Sequence, residues 1–300
     1  MSIKPAALSE DDQIFISSLK PTRGLVDCHI HLYADEFKDD LSDVILKANQ
    51  AGVIAAITVA EGPENFERIL ELQKQYPEFV FPCLGFHPIQ GDYNNAEKAK
   101  SLDESYLQQN HLDFIADHAS KLSAIGEIGL DFTPKFTPNG SEDREKQKIA
   151  LKKQIDLAQR LNLPINLHSR SAGKPLFDIL LKDYPDQAAI FHAYAGKPGL
   201  VPIMCQKNEN QYFSVGTNRL DISNPQTPKF IKSIPLKNML LETDSPALGP
   251  IRGERNLPQN LTSVVEVIGN LRGLTVDQVR DITTNNAVRL FPKLAKIAFK

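Results

Sequence analysis

The sequence is poor in the residues that mark disulfide-rich and redox-active proteins. Its 300 residues include no tryptophan, three methionines and three cysteines. Cys28, Cys83 and Cys205 are odd in number and form no CxxC pair, which argues against a secreted disulfide framework and predicts a cytoplasmic protein. No second soft ligand stands beside any of them in the sequence, so we expect three small core residues.

Long apolar runs are also missing. No window approaches roughly 18 consecutive apolar residues, so we expect neither a transmembrane helix nor a membrane partner. The first 20 residues lack the apolar stretch of a signal peptide, and their acidic residues argue against a transit peptide. The formal net charge of −3 provides no overall attraction for nucleic acid, so a nucleic-acid substrate would need a local basic patch.

Short apolar runs alternate along the chain with helical segments. Several of these runs are continuous rather than alternating, as expected of strands that are buried on both faces. The eight predicted strands lie near Leu25–Ile30, Val53–Val59, Phe79–Leu84, Leu122–Ile128, Leu163–Leu167, Ala188–Phe191, Gln211–Val215 and Met239–Leu241.

The helical segments carry their own boundary signals. Apolar residues at 41, 44, 45 and 48 follow helical spacing, and Gly52 after them is an expected C-cap. Thr275 and Gln278 form a capping box that predicts a helix through about residue 281. The longest irregular stretches, Gln90–Asn110 and Thr133–Glu142, follow predicted strands, and we expect them to cover substrate.

The order of these units predicts an α/β fold. Eight strand–helix units without a break in composition favour a single-domain (β/α)₈ barrel of the TIM type over residues 24–300, preceded by a short extension over residues 1–23. A doubly wound sheet is the structural alternative. No Gly-rich phosphate fingerprint follows the first strand, which weighs against a dinucleotide-binding version of that alternative.

The first predicted strand ends in the motif Asp27-Cys28-His29-Ile30-His31. Residues two apart in a strand point to the same side, so His29 and His31 can present both imidazoles to one metal ion. Asp27 lies further down that face, where it could accept a proton from a ligand ring and fix its tautomer. The alternative is two ordinary polar residues at a strand end.

Other strand ends carry the same kinds of residue. Four of the seven histidines lie at strand ends in this set, and His87 closes a further strand. In a barrel the carboxyl ends of all strands converge on one mouth. Imidazole and carboxylate ligands without thiolate suit Zn²⁺, Mn²⁺, Mg²⁺, Co²⁺ or Ni²⁺. We therefore predict a metal site held by His29, His31, Glu127, His168, His192 and Asp244.

Three further polar residues have two interpretations each. Glu242, two residues before Asp244, is either a carboxylate behind the ligands or half of a structural ion pair. His87 either contacts substrate or hydrogen-bonds its own loop. Asp131, four residues past Glu127, either takes part in function or caps its loop.

Three arginines are candidates for contacts with a phosphate group, because guanidinium binds phosphate bidentately. Arg170 lies beside the predicted ligand His168, whereas Arg252 and Arg255 follow Asp244 in a Gly- and Pro-rich segment. For each of them the alternative is a solvated surface charge.

The order of these motifs resembles that of the TatD family of metal-dependent deoxyribonucleases, within the wider amidohydrolase-like barrels. The matching segments span about 230 residues, from 27 to 256. They are DCHIH at 27–31, GFHP at 85–88, GEIGLD at 126–131, HSR at 168–170, HAYAG at 192–196, LETDSP at 241–246 and RGERN at 252–256. Two positions depart from the family pattern, since Ser171 stands where the family often has Asp and Tyr194 where Phe is commoner.

The resemblance implies a site with two divalent metal ions. His29 and His31 would hold one ion together with Asp244, and His168 and His192 would hold the other. Glu127 would bridge the two ions, at the place where many related amidohydrolases carry a carboxylated lysine.

The same resemblance implies hydrolysis by water that the ions activate, with Asp244 accepting its proton. The expected substrate is DNA, cleaved at phosphodiester bonds from an end of the strand. One alternative is a metal-dependent ester, lactone or amide hydrolase, including an aminoacyl-ester hydrolase acting on tRNA. A second alternative is a non-enzymatic scaffold. The oligomeric state stays open, and a monomer is compatible with the sequence.

Overall fold

The computed structural model describes residues 8–91 and 98–299. Within these ranges, eight strands form one sheet in which each strand pairs in parallel with the next along the chain. The strands are β1 (Leu25–Ile30), β2 (Val53–Val59), β3 (Val80–Leu84), β4 (Ala124–Asp131), β5 (Ile165–Arg170), β6 (Ala189–Phe191), β7 (Gln211–Gly216) and β8 (Met239–Glu242).

The first and last strands meet and close the sheet into a barrel. The backbone N–H of Asp244 donates to the carbonyl oxygen of His29 at 2.9 Å, and that of His31 donates to the carbonyl oxygen of Ser245 at 2.8 Å. The prediction of a (β/α)₈ barrel is therefore confirmed, and the doubly wound sheet is excluded.

One helix of the described ranges precedes the first strand, and the others follow strands; a large apolar cluster joins the helices to the outer side of the sheet. They are α1 (Glu10–Ser17), α2 (Leu41–Gln50), α3 (Phe66–Gln75), α4 (Gln109–Asp117), α5 (Ser141–Leu161), α6 (Gly173–Asp183), α7 (Val201–Lys207), α8 (Gln226–Ser233), α9 (Leu261–Arg272), α10 (Val276–Leu290) and α11 (Ala295–Ala298). None of these helices combines the length and the apolar composition that a membrane-spanning segment requires.

The predicted strands agree with the observed ones to within three residues. The largest differences are at the carboxyl ends of β4 and β5, which continue to Asp131 and Arg170. In β5 the apolar pattern stops earlier because the strand ends in three polar residues, from His168 to Arg170. In β4 it stops earlier because Gly129 interrupts it before Leu130 and Asp131. The strand ends that matter most for chemistry are thus the ones that hydrophobic periodicity marks least well.

Helix α10 is longer than its sequence pattern suggested. The capping box of Thr275 and Gln278 is confirmed, but the helix continues past residue 281 to Leu290. Its second half contains polar residues that form tertiary hydrogen bonds: the Thr284 hydroxyl donates to the carbonyl oxygen of Gly24 at 2.8 Å, and the Asn286 amide to that of Leu236 at 2.7 Å. These partners are distant in sequence, so local periodicity does not reveal them.

Two irregular stretches were expected to cover substrate. Of Gln90–Asn110, residues 92–97 lie outside the described residues; Ile89–Gln90 pairs with Lys100–Ser101 in a small antiparallel ladder, and α4 begins at Gln109. The stretch Thr133–Glu142 contains a short 3₁₀ turn before α5 begins at Ser141.

The sequence pattern expected Gly52 as the C-cap of α2. In the structure Ala51 is the C-cap, and Gly52 follows it in the left-handed conformation with φ of +86°.

The first described residues contact the end of the chain. The backbone N–H and the hydroxyl of Thr22 both donate to Asp281, at 2.9 and 2.7 Å, and the backbone N–H of Arg23 donates to the carbonyl oxygen of Ala298 at 2.8 Å. This segment therefore packs against α10 and α11. The division into an extension and a barrel domain at residue 23 stays a prediction.

The barrel interior is apolar at the end opposite the predicted metal ligands. Side chains from seven of the eight strands join one cluster with the C-terminal residues Leu290, Phe291 and Leu294, which close the floor of the barrel. A second and larger cluster fills the space between the strands and the helices. Cys28, Cys83 and Cys205 are buried and unpaired, as expected of core residues, and burial raises the pKa of all three thiols.

The floor residue Phe291 offers a test of this packing. Phe291→Ala should lower the free energy of unfolding by about 3–5 kcal/mol, because a fully buried ring is replaced by a cavity. Ile203→Ala is the control, since Ile203 is 49% exposed and should change stability by no more than about 0.5 kcal/mol. Urea unfolding followed by circular dichroism measures both values, and equal effects would contradict the proposed floor.

Candidate metal centre

The strand ends bring the six predicted ligands together at the barrel mouth. His29 and His168 belong to β1 and β5, and Glu127 belongs to β4. His192 directly follows β6, and Asp244 follows β8. Five of the six line one cavity of about 520 Å³, and His29 lies fully buried beneath it.

The Glu127 carboxylate stands at the centre of this group. Its Oε1 atom lies 2.7 Å from His192 Nε2 and 2.8 Å from His168 Nδ1. Its Oε2 atom lies 3.4 Å from His29 Nε2 and 3.8 Å from His31 Nε2. Each oxygen therefore faces one pair of histidines, which is the arrangement that a bridging ligand requires.

Asp244 completes the side of the site that His29 and His31 form. Its Oδ1 atom lies 3.4 Å from His29 Nε2 and 3.2 Å from His31 Nε2. The residue has a φ of +59°, a left-handed conformation that Asp adopts more readily than most residues. Its backbone N–H donates to His29, so the bond that closes the barrel also fixes this carboxylate.

The second nitrogen of each histidine ring faces a different polar partner. The distances are 2.8 Å from His29 Nδ1 to Asn166, 3.3 Å from His31 Nδ1 to Tyr33, 3.6 Å from His168 Nε2 to Asp131 and 3.9 Å from His192 Nδ1 to Glu242. Partners of this kind orient metal-binding imidazoles and select their tautomers. Each of the four rings thus directs one nitrogen toward Glu127 or Asp244 and the other toward a different polar side chain.

Asn166 and Tyr33 were not identified from the sequence. The Asn166 amide donates to the carbonyl oxygen of Cys28 at 3.0 Å, so its own oxygen accepts from His29 Nδ1–H. This leaves the lone pair of His29 on Nε2, a buried atom without a hydrogen-bond partner among the described residues. The available signal was spacing, since Asn166 stands two residues before His168 and Tyr33 two residues after His31.

Asp27 does not have the role that the sequence suggested. Its carboxylate accepts from the Thr243 hydroxyl at 2.6 Å and from the backbone N–H groups of Thr243 and His29 at 3.0 and 3.3 Å. It therefore links β1 to the residues after β8, and the ring partner of His29 is Asn166 instead. Burial is the largest influence on Asp27 and raises the pKa of its carboxyl group to about 7.

Glu242 lies behind His192. It accepts from the backbone N–H of Ala193 at 2.7 Å and from the Ser214 hydroxyl at 2.5 Å. Burial raises the pKa of Glu242 to about 7, partly offset by nearby His29 and by the hydrogen bond from Ser214. These contacts place a carboxylate behind the ligands, as the first of the two interpretations expected, although its effect on a bound metal stays a prediction.

The carboxylates and imidazoles stabilise one another in their charged forms. Burial alone would raise the pKa of Glu127, but the surrounding histidines, including the hydrogen bond from His168, outweigh it and hold that pKa well below its usual range. Burial likewise opposes protonation of His31 and His168. Contacts of His31 with Asp244, and of His168 with Asp131 and Glu127, nevertheless raise their pKa values to about 10 and about 9. The side chains at the bottom of the metal cavity therefore stabilise positive charge there.

His87 has the loop contacts that one of its two interpretations expected, and a contact with substrate stays a prediction. Its Nδ1 lies 2.9 Å from the carbonyl oxygen of Ile89 and 3.1 Å from the backbone nitrogen of the same residue, so it holds its loop. It also lines the cavity, with Nε2 at 3.7 Å from Glu127. Burial lowers the pKa of His87 to about 4, assisted by the charge on His168. At neutral pH this ring is therefore uncharged.

The three predicted phosphate-binding arginines lie in different places. Arg170 lines the metal cavity, whereas Arg252 and Arg255 line an adjoining cavity that shares Pro246 and Leu248 with it. The Arg255 guanidinium forms a bidentate ion pair with Asp40, at 2.8 and 2.6 Å. The structure thus uses Arg255 to fasten its loop to the start of α2, and a contact with substrate stays a prediction.

Comparisons with known proteins agree with this geometry. A family model described as TatD related DNase matches residues 26–292. The deoxyribonuclease TATDN3 of Homo sapiens is 42% identical to the chain over 277 residues, which cover 92% of this chain and 98% of the relative. The uncharacterized metal-dependent hydrolase YabD of Bacillus subtilis is 32% identical over 271 residues, 89% of this chain and 98% of the relative.

A solved structure supports the same assignment. The crystal structure of YjjV, a TatD homologue from Escherichia coli, has a TM-score of 0.76 to this chain at 29% identity. The match covers 89% of this chain and 98% of the other. The resemblance recognised from seven short motifs is confirmed, and the chain belongs to the family of TatD-related DNases.

Proposed function

We propose that the protein is a deoxyribonuclease that hydrolyses DNA phosphodiester bonds with two divalent cations held on either side of Glu127. The observation that carries this proposal is the Glu127 carboxylate, whose two oxygens face two separate pairs of histidines. Membership of a family of DNases and metal-dependent hydrolases supports the reaction class.

The donor set fits divalent cations. His29 Nε2 is buried without a hydrogen-bond partner in the described ranges, as expected of a nitrogen reserved for a metal. Ligand atoms of His29, His31 and Glu127 lie within 4.8 Å of one another, and so do those of His29, His192 and Asp244. We assign one cation to His29, His31 and Asp244 and the other to His168 and His192, with Glu127 shared.

The side chains around the cations have separate tasks. Bound divalent cations lower the pKa of a water molecule and stabilise the negative charge that develops on a phosphodiester. Asp244, whose pKa is held low by its hydrogen bond to His31 and by nearby histidines despite burial, stays ionised and can accept the proton of the attacking water. Uncharged His87 and Arg170 line the same cavity, and we assign to them the contacts with the phosphate oxygens.

The shape of the site supports cleavage from a strand end. The cavity of about 520 Å³ falls within the range of roughly 300–1,000 Å³ that is typical of small-molecule pockets. A space of this size accommodates a terminal nucleotide more readily than the middle of a duplex. The adjoining cavity lined by Arg252 gives the rest of the strand a path away from the cations.

The bridging role of Glu127 can be tested directly. Wild-type protein should retain about two equivalents of metal, whereas Glu127→Ala should retain fewer and cleave DNA at least about a hundredfold more slowly. Elemental analysis and a labelled-oligonucleotide assay measure the two effects. Glu145→Ala is the control, because Glu145 is an exposed partner of Lys148 outside the site. Full metal content in Glu127→Ala would rule out the shared carboxylate.

Arg170 distinguishes a nuclease from the alternative ester or amide hydrolase. Arg170→Ala should reduce kcat/KM for an oligonucleotide by about a hundredfold, because a charge-assisted contact with phosphate is lost, at roughly 1.5–3 kcal/mol. Hydrolysis of a small neutral ester should change much less. Lys174→Ala, at an exposed ion pair with Asp178, is the control. An equal loss on both substrates would favour the alternative.

Metal binding should release protons. His31 and His168 have pKa values raised to about 10 and about 9, so both rings are protonated at pH 7 in the metal-free protein. A cation can use His31 Nε2 and His168 Nδ1 only after these rings lose a proton each. Affinity should therefore rise between pH 6 and pH 8, with release of about two protons per chain. Calorimetry in two buffers of different ionisation enthalpy measures this number, and identical heats in both would contradict it.

A further inference from the structure

A tyrosine and a glutamate form a polar pair on the rim of the metal cavity. Tyr33 follows β1 and Glu61 follows β2, and both line the cavity. The Tyr33 hydroxyl donates to Glu61 Oε2 at 2.7 Å and lies 3.3 Å from His31 Nδ1. The Glu61 carboxylate is therefore separated from the proposed cation site by one hydroxyl group and one imidazole ring.

The backbone holds Glu61 in this position from both sides. Its N–H donates to the Asn65 side chain at 3.1 Å. Its carbonyl oxygen accepts from the backbone N–H of His87 and from the Gln90 amide, each at 2.8 Å. The side chain is exposed, yet the segment that carries it is tied to the loop of a neighbouring strand. A charge fixed in this way acts on a ligand without first having to be ordered.

The rim is acidic on one side and basic on another. Glu61 lies at the end of β2 and Arg170 at the end of β5, three strands further along the barrel sheet. Both line the same cavity. A DNA strand carries a negative charge at every nucleotide. The basic side of the rim should therefore attract its phosphate groups, and the acidic side should repel them.

We propose that Glu61 selects a DNA end that carries a free hydroxyl group and disfavours the same end when it is phosphorylated. The proposal rests on the proposed nuclease function. With the scissile phosphate at the cations, the phosphate-rich continuation of the strand lies toward the arginines, and the terminal nucleoside lies toward Glu61. A terminal hydroxyl can donate a hydrogen bond to the carboxylate, whereas a terminal phosphate meets a like charge.

Either a hydroxyl group or a phosphate can terminate the 3′ end and the 5′ end of a DNA strand. The test therefore includes both ends. Four single-stranded oligonucleotides of one sequence carry a hydroxyl or a phosphate at the 3′ end, or a hydroxyl or a phosphate at the 5′ end. Fluorescence anisotropy in chelator measures their binding to the metal-free protein, and a cleavage assay with Mn²⁺ measures their hydrolysis.

For the wild type, phosphate at one of the two ends should weaken binding and slow cleavage by about tenfold or more. Glu61→Gln keeps the size and the hydrogen bond to Tyr33, and it should reduce this penalty to about threefold or less. Glu64→Gln removes an exposed charge three residues away that lies outside the metal cavity, and it should keep the full penalty. Glu61→Ser provides a second substitution, and circular dichroism checks folding of all variants.

Two results would overturn the proposal. One is a wild-type protein that binds and cleaves all four oligonucleotides equally, and the other is a full penalty that persists in both Glu61 variants. The proposed nuclease function fails separately, if no hydroxyl-ended oligonucleotide is cleaved with any cation. In that case the anisotropy measurements still decide whether Glu61 discriminates between the ends.

Discussion

The two oxygens of the Glu127 carboxylate hold the barrel mouth together. This side chain is 3% exposed and lies within 4 Å of ring nitrogens on five histidines from four different strand ends. Burying an ionised carboxylate costs several kcal/mol unless positive charge accompanies it. Protonated His31 and His168 supply that charge in the metal-free protein, and we propose that cations replace their protons. Folding and the proposed metal binding therefore depend on the same set of contacts.

The two ends of the barrel have different roles: one end stabilises the fold, and the other carries the residues of the candidate metal site. Its floor is an apolar cluster closed by the C-terminal residues, whereas the opposite end contains the buried polar groups. The second nitrogen of each ligand ring there faces a polar side chain, at distances of 2.8 to 3.9 Å, and three of these side chains are in turn fixed: Asn166 by Cys28, Asp131 by the loop after β4, and Glu242 by Ser214. The proposed ligands are thus oriented without a bound cation, which would lower the free-energy cost of binding one.

Much of this arrangement could be predicted from the sequence, and the reason is physical. Parallel strands in a barrel direct their carboxyl ends to one mouth, so ligand-type residues that close successive apolar runs must meet there. That rule placed His168 next to Glu127 although 41 residues separate them. It also fixed the strand order, because each apolar run pairs with the next along the chain.

The details that escaped prediction depend on contacts between distant segments. Strand spacing placed Asp27 below His29, but it could not show that Asp27 turns to Thr243, 216 residues away. The guanidinium of Arg255 resembled a phosphate ligand in sequence, yet Asp40 engages it from a loop 215 residues earlier. Side-chain partners of this kind follow from the closed fold rather than from local pattern.

The central claim is that one carboxylate is shared by two cations. Crystals of the protein soaked in Mn²⁺, with data collected at a wavelength where manganese scatters anomalously, test it most directly. The account predicts two anomalous peaks, roughly 3.5–4 Å apart, on either side of the Glu127 carboxylate. One peak should lie at His29 and His31 and the other at His168 and His192. A single peak, or two peaks that Glu127 does not contact, would contradict it.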